Sequence, residues 1–261
     1  MRNITRFWGI VLLTIGTVFL IGNLTGMNVW AFFWPLALIT LGIWLLWGAT
    51  RHPESQEMLS IPLEGATQAT VRLRYGAGRV TLAGGAPAGQ LLAGKFGGGV
   101  IPKIKREADT LRVKLNAVDT EVISPIHFGT FETRQWDVQF NTETPLTLKL
   151  ETGACEVLAD LEALHLTELV IDTGASSTTV TLPARASMTR VRVGGGAASV
   201  KLLVPENVAA SIHAHGGLSG INVDAERFPR VGERYISPNY DTAEHKVEIN
   251  AEIGVGSITI V

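Results

Sequence analysis

Six glycines constrain what this chain can become. Gly76, Gly153, Gly174, Gly196, Gly217 and Gly254 lie in the local texts RYGA, ETGA, DTGA, GGGA, HGGL and EIGV, and from Gly153 the spacings are 21, 22, 21 and finally 37 residues. The flanks repeat with the glycines. Five and three residues before them stand Val71 and Leu73, Leu148 and Leu150, Leu169 and Ile171, Val191 and Val193, Ile212 and Ala214, Ile249 and Ala251. Four and six residues after stand Val80 and Leu82, Val157 and Ala159, Thr178 and Val180, Val200 and Leu202, Ile221 and Val223, Ile258 and Ile260. A period of two on each side is the strand period. Each unit therefore reads as strand, glycine corner, strand, the glycine permitting either a positive φ or a backbone pass that a Cβ would block.

One such unit cannot bury its own apolar face, whereas stacked units share a continuous core. The pattern predicts a repeat-built β-solenoid, single-stranded and β-helix-like, over residues 58–261. Pro183 and Pro205 mark exits from strand to connector. The longer last step places an insertion around Phe228–His245. Residues 101–145 fit the template poorly, with Lys103–Leu115 reading as a charged hairpin and Ser124–Phe131 as a loop.

A different logic governs residues 1–50. Phe7–Leu24 and Val29–Gly48 carry no charge, and five of the six tryptophans fall before residue 48. About 20 apolar residues cross roughly 30 Å of hydrocarbon as a helix. The turn residues Asn23–Asn28 between the runs force antiparallel neighbours, so the expectation is a two-helix transmembrane hairpin bent at Pro35 and joined by a linker over 51–57. The fold class is thus a membrane-anchored all-β protein. Arg2, Arg6 and Arg51 flank the runs while the connecting turn has no Lys or Arg, which by the positive-inside rule places both termini, and the β domain, in the cytoplasm.

The formal charge is −2 overall, with three arginines and no acid in residues 1–52. The remainder carries −5, which argues against nucleic-acid binding. The single cysteine excludes a disulfide framework.

Four groups of residues invite a chemical reading, and each has a plainer one. LVIDTGAS (Leu169–Ser176) matches the aspartic-protease signature, in which Asp172 would share a proton with a second carboxylate. In the other units the same slot holds Arg74, Glu151, Gly194, His215 and Glu252, so the slot reads as corner geometry. Cys155, with His165 nearby, reads as a small buried hydrophobe. His213 and His215 face the same side of a strand, a spacing that suits a metal pair, and His245 would join them if the insertion folds back; a solvated edge is the plainer account. KIKRE (Lys103–Glu107) reads as a solvated hairpin edge, with contact to anionic lipid headgroups as the alternative. No catalytic, cofactor-binding or metal site is expected, and no cofactor.

The runs GIVLLTIGTVFLIGNL and FFWPLALITLGIWLLWG resemble the transmembrane region of LiaI/LiaF-like bacterial proteins. The segment Trp136–Val261, with LKLETGACEVLADLEAL, LVIDTGASSTTVTLP, VRVGGGAASVKLLVP and GSITIV, resembles the C-terminal toast-rack domain of the same group, to which adhesin-like domains are related. The resemblance implies a right-handed single-stranded β-helix and a non-enzymatic role in sensing or relaying cell-envelope stress from the bacterial cell membrane. In the LiaF-like case that means restraint of a sensor kinase. The expected partners are the lipid bilayer, a membrane sensor kinase or other membrane protein, and a second copy of the chain through the C-terminal strand Gly256–Val261, which ends the sequence without a cap and reads as an open edge. The alternative is a structural or adhesin-like self-associating surface protein.

Overall fold

The computed structural model describes residues 56–118 and 135–261, together with Trp34, Pro35, Leu38 and Ile39 in helical conformation. The expected transmembrane hairpin lies outside the described residues apart from those four, as does the loop expected at Ser124–Phe131. Among the described residues no helix is long and apolar enough to cross a membrane.

Thirteen strands form one branched sheet: β1 (Gln56–Pro62), β2 (Gln68–Gly84), β3 (Gln90–Gly97), β4 (Val100–Glu107), β5 (Thr110–Ala117), β6 (Gln135–Phe140), β7 (Leu146–Asp160), β8 (Leu166–Thr181), β9 (Met188–Leu203), β10 (Val208–Val223), β11 (Arg230–Val231), β12 (Arg234–Ile236) and β13 (His245–Ile260). Six of them, β2, β7, β8, β9, β13 and β10, are the six glycine units. Each runs through its glycine as one strand of 15 to 17 residues and pairs in parallel with the next.

The side-chain alternation explains how a continuous strand closes around a core. In β8, Leu169, Ile171 and Thr173 are buried before Gly174, and Thr178 and Val180 after it. The buried set has odd offsets before the glycine and even offsets after it. The strand slips its phase at the corner, so both arms turn their apolar residues into one interior. The connectors close the third side: Leu161, Leu164, Leu182 and Val204 are buried. Leu161 N donates to Thr181 O and Leu182 N to Leu203 O, so the connectors stack as the strands do. The sequence-derived unit is reproduced, with its expected positions buried in β7, β8 and β9, and both prolines sit just beyond strand ends.

The corner glycines are required by contact, not by dihedral, since none of the six has a positive φ. A Cβ on Gly153 would lie 2.3 Å from the carbonyl oxygen of Gly76. The same atom on Gly174, Gly196, Gly254 and Gly217 would lie 2.9–3.2 Å from the carbonyl oxygen of the corner glycine on the strand before it in the stack.

Three expectations need correction. The C-terminal strand is no edge: β13 is paired along its length with β9 on one side and β10 on the other. The extended last step carries the chain past β10 and back between its neighbours, and the insertion supplies β11 and β12, of which β12 pairs with Ser211 and Ile212 at the start of β10. The end strand of the stack is therefore β10. Its N-terminal arm is covered by the insertion, with Phe228 buried, whereas Ile221 in its C-terminal arm is exposed despite holding a core slot. The third correction is at the linker: Gln56 and Glu57, expected within it, belong to β1 and pair with Gly97 and Phe96.

The other end branches. The arm of β2 before the corner pairs with β5, to which β4 adds as the predicted antiparallel hairpin. The arm after the corner pairs with β6, followed by β3 and β1. Trp136 on β6 is fully buried against Tyr75 and Phe96, at ring centroid distances of 4.7 and 5.0 Å.

The corner ladder makes a paired prediction. Gly153→Ala forces a Cβ into the Gly76 carbonyl and should cost about 2–3 kcal/mol, a fall in Tm of roughly 4–10 °C for a domain of this size. Gly76→Ala meets nothing within 4 Å and should leave the melt within about 1 kcal/mol of the parent. Equal melting of the two variants would show that carbonyl contact does not set the corner.

Candidate functional site at the forked strand

Where β2 branches, its corner pairs with β7 on one side and with no described strand on the other. Pairing with β5 ends at Arg74 and pairing with β6 begins at Arg79. The gap is an open hollow of about 580 Å³ on the outer face, with Arg74, Lys103, Asn116, Glu151, Thr152 and Asp172 among its lining residues. Gly76 is bare on that side because no preceding rung covers it.

Register puts two carboxylates side by side there, Glu151 opposite Asp172. They do not form a proton-sharing pair. Burial acts to raise the Glu151 pKa, but hydrogen bonds and charge from Arg72 and Arg74 outweigh it, and the carboxyl is held below its ordinary value. The Glu151 oxygens are taken by two guanidinium groups and not by a proton shared with Asp172. Asp172 is exposed, in the slot where the neighbouring strand carries Gly194. The DTG text is thus one corner of the ladder.

Cys155 is buried just past its corner, the thiol directed at the carbonyl oxygens of Tyr75 and Gly76 at 3.7 and 3.6 Å. Burial pushes its pKa up to about 11, against the opposing pull of the backbone at Gly153 and Gly78. His165 lies beyond the other end of β7, where its carbonyl accepts from Leu146 N. The two residues are not brought together.

His213 and His215 share the outer face of β10, their Nε2 atoms 2.9 Å apart and their rings nearly perpendicular. One neutral ring donating to the other accounts for that distance. His245 does not join them. It starts β13 opposite Val208, five positions from the residue paired with His213, roughly 17 Å along the strand. Its Nδ1 lies 3.2 Å from Ala186 O. Among the described residues no group of three or more His, Cys, Asp or Glu is placed to hold a metal ion.

The Lys103–Glu107 run is the exposed C-terminal part of β4, which among the described residues pairs with β5 alone. Its significance was invisible in the sequence because its charged neighbours come from β5, β2 and β7, up to 46 residues away in the chain.

Bent strands stacked in parallel behind a glycine corner, with a branched first rung and polar outer faces, define a toast-rack type of β domain. The chain belongs to that family: residues 50–203 match the family described as the N-terminal domain of toast_rack, DUF2154. The match takes in residues 50–135, which the sequence resemblance had left aside, and stops before β10 and β13. No curated protein matches the chain. Among solved structures, a "putative cell adhesion protein" of Clostridium sporogenes shares the fold at a TM-score of 0.73 and 21% identity, over 79% of this chain and 98% of that one. A "putative adhesin" of Bacteroides fragilis aligns over 80% of this chain and 99% of that one at 10% identity, with a TM-score of 0.33.

The thiol provides a pH prediction. A pKa raised from 9.0 to about 11 means that the fold favours the protonated form. Its contribution to stability is complete below pH 9 and is lost as pH rises towards 11. Native protein at pH 8 should alkylate at Cys155 about a hundredfold more slowly than unfolded protein, following tenfold less thiolate per unit. Cys155→Ala should flatten the stability decline between pH 9 and 11, as read by denaturant melts; a parent and variant with parallel pH profiles would refute the assignment.

Proposed function

We propose that this chain is a non-enzymatic, membrane-anchored regulatory module of a bacterial cell-envelope stress response, acting through protein–protein contacts. The apolar N-terminal runs serve as a two-helix anchor in the cell membrane, with the rack in the cytoplasm. The rack offers a partner its open end. The observation that carries this reading is the C-terminal arm of β10, Leu218–Val223, which pairs with β13 on one side and with no other described strand. Leu218 is 83% exposed, and Ile221 occupies a core slot that nothing covers. Such an edge accepts an extended segment by strand addition, with backbone hydrogen bonds for affinity and side-chain slots for selectivity. Toast-rack membership and the LiaF-like character of the N-terminal runs support a membrane sensor kinase as the partner.

A second reading is an adhesin-like, self-associating surface protein, favoured by the fold shared with the Clostridium sporogenes protein. Topology separates the two. A C-terminal reporter active only outside the cell would favour the adhesin and remove the cytoplasmic reading.

Leu218→Asp combined with Ile221→Asp should abolish crosslinking of β10 to its partner in native membranes. The double variant should also reproduce the effect of deleting the chain on an envelope-stress reporter, while changing stability by only about 1 kcal/mol. Unchanged crosslinks and an unchanged reporter would count against the open end as the contact. Asp172→Ala and Cys155→Ser should leave the reporter response intact; its loss in Asp172→Ala would revive a chemical role.

A further inference from the structure

Register gathers charges that lie far apart in sequence. Lys103 of β4 stands opposite Lys114 of β5, Lys114 beside Arg72 of β2, and Arg72 beside Lys149 of β7. Along the hairpin, Lys105 stands opposite Arg112. Paired positions send their side chains to the same face. The alternate residues Val113, Val71, Leu73, Leu148 and Leu150 fill the core, so these six cations share the outer face. At about 4.8 Å between strands the row from Lys103 to Lys149 spans roughly 14 Å.

This row opposes its own folding. Like charges directly across a ladder destabilise it. Arg72 is relieved by Glu151 and Arg112 by Glu107. Among the described residues no carboxylate lies within ion-pair reach of Lys103, Lys105, Lys114 or Lys149. The lysines are concentrated there although the chain beyond residue 52 is net acidic. A counter-charge from outside the chain would resolve the conflict.

The position of the face indicates which counter-charge. The N–H of Val100, where β4 begins, donates to the carboxylate of Glu57 at the start of β1. The basic hairpin thus springs from the point at which the chain arrives from its apolar runs. Between Gly48, the end of the second run, and Gln56 the chain reaches at most about 29 Å. Ile101 on β4 stands opposite Asn116, on the same face as Lys103 and Lys105, and is exposed.

We propose that the outer face of β4, β5, β2 and β7 docks on a membrane surface, its unpaired lysines taking the phosphate headgroups of anionic lipid. The inference rests on the anchor reading for bringing a membrane within reach. Phosphate oxygens supply the missing acceptors, and the exposed Ile101 enters the headgroup boundary. Each lysine near an anionic surface favours the docked state about fivefold.

The test uses the full chain reconstituted in vesicles of phosphatidylcholine alone or mixed with phosphatidylglycerol in both leaflets. Amine acylation is read lysine by lysine by mass spectrometry. Lys103, Lys105 and Lys114 should react several-fold more slowly in the anionic vesicles, high salt should abolish the difference, and Lys201 on β9 should not change. In Lys103→Ala/Lys105→Ala/Lys114→Ala, Lys149 should lose its protection while the thermal melt is retained. Equal rates in the two lipids would overturn the proposal. So would protection by soluble polyphosphate in neutral vesicles without protection by anionic ones, which would assign the face to a soluble polyanion. Release of the chain by alkaline carbonate would sink the anchor reading separately, and lipid-dependent protection persisting in such a chain would leave the docking face standing.

Discussion

A carbonyl oxygen sits where a side chain would begin. At every corner after Gly76 the space that a Cβ would take belongs to the corner carbonyl of the preceding strand, and the stack cannot close to strand spacing unless that Cβ is absent. The contact also couples the rungs. A corner that opens on one strand removes the surface against which the next is seated, so two facing arms of one sheet, a connector wall and a shared interior follow from one repeated close approach. Burial supplies the driving force, with about 1.5–3 kcal/mol for each fully buried Val, Leu or Ile. The glycines decide only whether that burial can occur in this geometry.

The same contact explains what could be read from the sequence. The glycine spacing and the odd-to-even change of apolar offsets specify one rung completely, and the buried positions inferred for β7, β8 and β9 are the ones observed. Rung order is another matter. Every rung presents nearly the same cross-section, so β13 fits between β9 and β10 as well as it would fit beyond β10, and nothing in Ile249, Ala251, Ile258 or Ile260 distinguishes the two places. The only trace was the extended interval before Gly254, which supplies the length needed to pass β10. The branch at β2 was equally hidden, because Leu111, Val113 and Leu115 carry an ordinary strand pattern and their parallel partner lies some forty residues earlier.

Stacked register also explains why the candidate site was illegible. The sequence presents KIKRE as a short basic run and Lys149 as an isolated lysine. Only lateral pairing aligns them, and the hollow next to them opens where the described pairing of β2 passes from β5 to β6. The motif that stood out in the sequence, DTG around Asp172, loses its chemical meaning for the same reason. Its aspartate is one member of a row that runs through Arg74, Glu151, Gly194, Glu252 and His215, in which Arg74 and Glu151 form an ion pair. Exposed pairs of this kind contribute little to stability, about 0–1 kcal/mol each. Their arrangement therefore reports on what the outer face meets more than on what holds it together.

A rack built from near-identical rungs would be symmetric along its length if its ends were alike, and here they are not. At the β2 end the sheet divides, buries Trp136 and carries a lysine row without internal counter-charges. At the β10 end one arm is sealed by the insertion while the other leaves Leu218 and Ile221 open. Each end breaks the repeat by a different device, an insertion after the first rung and an insertion before the last. The interior rungs fix the separation of the two ends, since each adds one strand spacing and a rigid corner. On the proposed reading the branched end faces lipid and the open end faces a protein, and the number of rungs sets how far apart along the stack those two contacts lie.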